Sequence, residues 1–343
     1  MPEIKKPLLE EQTLAGQGSN KGHVNAVKHG ERIARLSDLK KRSRQMASYV
    51  LDVARTPDET TLGSNLASCS TWLVFNHYYT VDQVRLSKAK TCKKHLLCPV
   101  CAKIRGVKQA VKYMERLDEI LKENPHLVPA MLTLTVKNGD DIEERFSHLV
   151  KSWRTYQNRR RDSLKKGRGF NELSKVDGAV FSYEFTKSDK GWHPHIHAVV
   201  LLNSKIDHIQ LSKEWHSITG DSFIVDIRKL KPSKTQDIAD AFMEVFKYAL
   251  KFSDMDLGDN WEAYINLRGK RLQGAFGSFW GVVVPDKMVD DLLDNLPFLE
   301  LFYKYIRGTG YNLEKTLKHD PPPNDDEEEV RRGGGSGVDL SEK

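Results

Sequence analysis

The stretch "GAVFSYEFTKSDKGWHPHIHAVVLL", residues 178–202, constrains the chain more than any other. Two runs rich in β-branched and aromatic residues, 178–186 and 193–202, flank "KSDKGW", a short polar stretch with a glycine, which is the pattern of a β-hairpin. The second run passes straight into an unbroken apolar strand. Side chains alternate across a strand, so His193, His195 and His197 share one face while Ile196 points to the other. If the turn centres between Asp189 and Lys190, residue 184 lies opposite residue 195. Residue 184 is a glutamate inside "FSYEFT", and a carboxylate there needs a partner, because burying a lone charge is costly.

His195, His197 and Glu184 together offer two imidazoles and a carboxylate, with coordination positions left open. That mixed set suits Mn²⁺ or another first-row metal, and Mg²⁺ less ideally. The plainer alternative is a solvated sheet face beside Trp192. His193 shares the face, where it would contact phosphate or solvent.

Around the hairpin, the chain alternates between two periods. Residues 105–123 and 140–161 have helical spacing, the latter with Ile142, Phe146, Leu149, Val150 and Trp153 on one apolar stripe; 130–136 is a buried strand. A helix near 208–218, a strand at 222–229 and a helix at 235–252 follow. The order β-α-β-β-α-β-α predicts an α+β fold: an antiparallel sheet with a split βαβ, ferredoxin-like or RRM-like, backed by helices. The 235–252 helix carries Glu244, Tyr248 and Lys251 along one stripe, with Lys247 beside it. A tyrosine hydroxyl flanked by lysines near a metal can act as a nucleophile, and a carboxylate one turn away as a general base. The bland reading is a half-buried tyrosine and a solvated ion pair.

The four cysteines are Cys69, Cys92, Cys98 and Cys101, three of them within ten residues, which points to metal rather than disulfides. Cys92, Cys98 and Cys101 form the knuckle of a structural zinc site, completed by Cys69 or by the competing His95. No window approaches the roughly 18 consecutive apolar residues of a membrane span, and "MPEIKKPLLEEQ" has no apolar signal core. A cytosolic protein without membrane partners is expected. The net charge of +7 conceals an asymmetry: residues 319–343 hold eight acidic and three basic residues, leaving the preceding 318 at +12. Such a basic body suggests a polyanionic partner. Residues 151–168 hold eight basic residues and one acidic, among them Arg159, Arg160 and Arg161, candidates for phosphate contact near the active sheet.

"MLTLTVKN" (131–138), "HPHIHAVVLL" (193–202) and "EVFKYALKFSD" (244–254) stand in the order of three motifs of the HUH endonucleases, and the chain resembles the single-tyrosine replication initiators of small plasmids that replicate as rolling circles. The likeness covers roughly residues 65 to 255, and the family often carries a cysteine-rich segment before its first motif. The resemblance implies that His195 and His197 bind a divalent metal and that Tyr248 attacks a phosphate in single-stranded or hairpin origin DNA. A 5′-phosphotyrosine would form and a free 3′-OH would prime a host polymerase. Glu244 would end the cycle. Glu184 as third ligand comes from the hairpin register instead. One helical turn from Tyr248 stand Glu244 and Phe252, not a second tyrosine, which favours hydrolytic termination. The chain has no G-x-x-x-x-G-K-[ST], so strand separation needs supercoiling or a host helicase.

These readings divide the chain into a flexible basic arm with at most one helix (1–58), a cysteine-rich zinc segment (59–112), a nicking domain (113–255), an extension available for origin recognition (256–318) and a disordered acidic and glycine-rich tail (319–343). The rivals are a transposase or relaxase of the same chemistry, a non-catalytic zinc-containing nucleic-acid-binding module, and a two-histidine-one-carboxylate iron oxygenase, whose jelly-roll pattern the helices oppose.

Overall fold

The computed structural model describes residues 21–231, 234–247 and 255–320, with backbone alone for 21–27. The hairpin is its centre: β4 (Val176–Ser188) and β5 (Gly191–Leu202) pair with Glu184 opposite His195, the register that the turn arithmetic gives. β3 (Val128–Thr135) pairs with the other edge of β5, β6 (Val225–Lys229) with β3, and β7 (Gln273–Phe276) with β4, all antiparallel, in the order β6-β3-β5-β4-β7. α4 (Ile142–Lys166) connects β3 to β4 across β5, and α5 (His208–Thr219) connects β5 to β6. Asp141 and Asp207 cap these helices by accepting from backbone N–H groups two and three residues on, and Gly167 and Gly220, both at positive φ, end them.

Strand parity decides which helices cover which face. Leu132, Leu134, Ile196, Ala198 and Val200 pack against Phe146, Leu149 and Trp153 of α4 and Trp215 of α5. Met131, Val180, Val199 and Leu201 face the other way, onto α3 (Pro99–Glu123) and α6 (Thr235–Phe246). β5 is therefore covered on both faces from Ala198 to Leu202, which is why that run is unbroken. On the α3/α6 face the apolar cover stops where the histidines begin. Gly106 lets α3 come close to the end of α6, since a Cβ there would lie 2.3 Å from the Phe246 carbonyl oxygen.

A second sheet, β2-β1-β8-β9, combines β1 (Trp72–Tyr78) and β2 (Gln83–Ala89) with β8 (Phe298–Ile306) and β9 (Gly310–His319). One expectation needs correction here. Residues 21–53 are not a flexible arm but the 33-residue helix α1 (Lys21–Val53), whose Leu36, Met46, Ala47 and Val50 enter the core with α2 (Pro57–Ser68) and the cysteine segment. Residues 256–318 add elements to both sheets: α7 (Leu257–Leu267) packs at the border and β7 joins the hairpin sheet, whereas β8 lies against β1 with Phe75 opposite Leu301. The cysteine segment and the far end of the chain thus share one core. The tail beyond Asp320 and residues 1–20 lie outside the described residues. No helix among the described residues is long and apolar enough to cross a membrane.

Candidate functional site

Hairpin pairing sets Glu184 against His195, and His197 lies between Ser182 of β4 and Thr133 of β3. The three side chains converge. Glu184 Oε2 is 3.2 Å from His197 Nε2 and 3.5 Å from His195 Nε2, and the imidazoles meet edge to face with centroids 4.6 Å apart. A common ion at about 2.0–2.2 Å from each ligand would set neighbouring ligand atoms about 3 Å apart, so the donor set fits a metal with little movement. One ligand atom from each residue lies within 4.8 Å of the others. The ring nitrogens turned away from this point are also engaged. His195 Nδ1 donates to the His193 carbonyl at 3.4 Å, and His197 Nδ1 is 3.2 Å from Thr133 Oγ1. The carbonyl contact sets the His195 tautomer that leaves Nε2 free to coordinate, and the Thr133 hydroxyl can accept from His197 in the same tautomer.

Glu184 is 1% exposed. Burial penalises its charge, but the contacts to His195 and His197 and the positive charge of Lys247 outweigh that and hold the carboxyl well below the ordinary glutamate range. α6 supplies a further pair. Glu244 Oε1 is 3.4 Å from His197 Nε2, and the Lys247 ammonium bonds Glu244 and stands 3.7 Å from Glu184 Oε2. α6 ends at Phe246, with Lys247 in extended backbone, where the sequence predicts a helix through 252. Tyr248 and Lys251 lie outside the described residues. His193 falls outside the three-residue group; its Nδ1 is 2.6 Å from Asn138 Oδ1, a tie between β5 and the end of β3.

The four cysteines form a second cluster. Sγ–Sγ separations are 3.5 Å for Cys69–Cys101, 3.6 Å for Cys98–Cys69 and 3.7 Å for Cys92–Cys101. A tetrahedral ion with metal–sulfur bonds of about 2.3 Å sets its sulfurs about 3.8 Å apart, so the four thiols fit one ion. His95 does not join them; it is exposed and its Nδ1 is 3.3 Å from the Lys93 carbonyl. α1 adds two residues that the sequence reading missed. Ser43 Oγ is 3.5 Å from Cys98 Sγ, and the fully buried Lys40 donates to the carbonyls of Ala67 (2.8 Å) and Cys69. Burial lowers the Lys40 pKa, and the negative charge of Cys69, Cys98 and Cys92 opposes that shift. Nothing in "DLKKRSRQ" signals an inward-facing lysine; Thr133 and Asn138 likewise carry no local mark of their roles.

The arginine run does not lie beside the histidines. α4 covers the opposite sheet face, where Arg159 bonds Ser217 at 3.1 Å and Arg161 lies 3.7 Å from Asp162. Arg160 is a structural residue: it donates to the carbonyls of Val176 and Asp177 and stacks over Phe276, with its guanidinium 4.9 Å from the ring centroid. The expectation that the three lie near Glu184, His195 and His197 is thus corrected in its placement.

A family model described as Replication protein (Rep_1) matches residues 83–296, which include Glu184, His195, His197, Glu244 and Tyr248 but not Cys69. A curated protein of Streptococcus pneumoniae serotype 2, named Protein rep, is 30% identical over 215 residues, covering 57% of this chain. The match spans 63% of that relative's own length. No solved structure matches.

Proposed function

The chain belongs to the Replication protein family, and on that premise we propose that it initiates plasmid replication by nicking and rejoining one DNA strand at the double-strand origin, the opening step of rolling-circle replication. One observation carries this reading. Glu184, His195 and His197 converge with Glu244 and Lys247, and the next residue in sequence is Tyr248. The β6-β3-β5-β4 order with its crossing α4 supports a split βαβ palm of the HUH kind as the platform.

His195, His197 and Glu184 would hold the divalent ion, Mn²⁺ or Mg²⁺, which when bound supplies Lewis-acid polarisation of the scissile phosphate. The remaining work belongs to the side chains. The Tyr248 hydroxyl attacks phosphorus and passes its proton to Glu244, while the Lys247 charge favours the phenolate. The bond from phosphorus to the 3′ oxygen breaks, that oxygen takes the proton from Glu244 and leaves as a 3′-OH, and the 5′ phosphate stays on Tyr248. In termination Glu244 accepts a proton from the water that attacks phosphorus and delivers it to the Tyr248 oxygen as the phosphorus–tyrosine bond breaks, which restores the phenol and leaves a 5′ phosphate on the strand. His193, Lys247 and Lys251 are the proposed phosphate contacts, single-stranded or hairpin origin DNA the substrate, and a host helicase and polymerase the partners. The cysteine cluster is proposed as a structural zinc site.

The test is a denaturing gel of the full-length chain incubated with Mn²⁺ and a pool of labelled single-stranded and hairpin oligonucleotides that includes native plasmid sequence. The expected result is a protein-linked label that disappears in Tyr248→Phe and in His197→Ala. Tight DNA binding by metal-loaded protein without any adduct would favour the non-catalytic module.

A further inference from the structure

A groove of about 580 Å³ runs along α4, on the sheet face opposite Glu184, His195 and His197. One wall is a stripe of α4 at helical spacing, with Ser147, Lys151, Arg154, Thr155 and Asn158; the other is Lys270 and Arg271, which follow α7. Phe146 lies buried at the base, and the Lys270 ammonium stands 5.4 Å from its ring centroid. Among the described residues, no carboxylate lines the groove. Lys270 is paired with Glu143 at 2.7 Å, whereas Lys151, Arg154 and Arg271 make no ion pair with any described residue. Arg271 donates its Nε–H to the Gln273 carbonyl at 3.0 Å, which fixes its stem and leaves its terminal nitrogens for another acceptor.

Three cations gathered without an anion repel one another, and a polyanion relieves that repulsion. The side chains between them, two hydroxyls and an amide, are types that contact phosphate oxygens. A small-molecule pocket is mostly apolar and encloses its ligand, which an open groove walled by cations does not do. A single strand is held by stacking its bases on exposed rings, but the one ring here is buried and covered by Lys270. We propose that this groove binds the phosphate backbone of double-stranded DNA, independently of sequence, and so holds the duplex beside the strand that is cut on the other face. The proposal rests on the nucleic-acid reading above only for the identity of the polyanion.

The experiment is fluorescence anisotropy of the full-length protein on a random-sequence duplex and on oligo-dT, without added Mn²⁺ or Mg²⁺, across a salt series. Lys151→Ala/Arg154→Ala/Arg271→Ala is compared with the charge-matched Lys122→Ala/Lys213→Ala/Lys315→Ala. The groove variant should bind the duplex at least about tenfold more weakly at moderate salt and lose about 2–3 from the slope of log affinity against log salt, near 0.9 for each phosphate contact removed. The control should change the slope by less than about 1. Adduct formation on a short single-stranded oligonucleotide should be the same in both. Equal losses in the two variants overturn the proposal, and so does a loss on oligo-dT as large as that on the duplex. Duplex binding is read without strand cleavage, so failure here leaves the nicking reading standing, and failure of the adduct leaves the groove to be judged by its own slope.

Discussion

Glu184 and Lys40 are charged groups at positions where the packing around them is apolar, and each is tolerated because charge of the opposite sign is built in beside it. For Glu184 the answer was legible, because alternation in β5 and the hairpin register are local rules that bring residue 184 against residue 195 without knowledge of the rest of the fold. For Lys40 it was not: an inward lysine breaks the apolar spacing of α1, and its partners, the Cys69 carbonyl and the thiolates, come from elsewhere in the chain. The role given to Lys40, countercharge and hydrogen-bond donor behind the cysteine cluster, predicts that Lys40→Met weakens metal retention by about 10-fold or more. Chelator competition on the folded variant reads this directly, with α1 helicity followed by circular dichroism. Unchanged metal affinity in a folded Lys40→Met protein would remove Lys40 from the metal centre.

Elements position the site through a few close approaches. Gly106 of α3 lies against the last carbonyl of α6, the helix that delivers Glu244 and Lys247, so Gly106→Ala must displace the end of α6. Overpacking of this kind costs about 1–3 kcal/mol, and a shift of about 1 Å at a reacting group costs about 100-fold in rate. Adduct formation should therefore fall by more than tenfold while cysteine-bound metal stays constant; retention of the full rate would show that the end of α6 does not position the reacting groups. α1 has its own pH signature. His29 lies edge-on to Phe75 and Tyr303; burial, then the charges of Arg32 and His77, push its pKa down to about 4. The folded state thus resists a proton that the unfolded state accepts. The contribution of neutral His29 is fully present above about 6.5 and is lost as pH falls toward 4, at most about 3 kcal/mol. Denaturant melts from pH 7 to 4 should show a steeper decline in the native protein than in His29→Gln, and parallel declines would contradict this. The helices and strands of the β3-to-β6 run were legible because each carries its own period and caps. β8 and β9 were not assigned: they form a local hairpin with each other, but the sheet they complete needs β8 to pair with the distant β1, which leaves no local pattern.

In the whole molecule the two sheets meet through α3. Cys98 caps its start and Cys101 lies in its first turn, and further along it Gly106 meets the end of α6. Metal at the cysteines would therefore brace the helix that braces the proposed nicking site. Removing that metal should expose backbone amides of α1, β1 and the first turns of α3 to hydrogen exchange while β3, β4 and β5 stay protected, and should slow strand transfer even with Mn²⁺ supplied. Uniform loss of protection would show one cooperative unit instead. The central claim, that the Glu184, His195 and His197 cluster serves a tyrosine nucleophile that follows Lys247, is tested most directly by locating the bond it makes. Full-length protein would be trapped on a Mn²⁺-dependent oligonucleotide adduct, digested with protease and nuclease, and the nucleotide-bearing peptide sequenced by mass spectrometry. The account predicts a 5′-phosphonucleotide on Tyr248; the same modification on another side chain, or cleavage with no linked peptide, would contradict it.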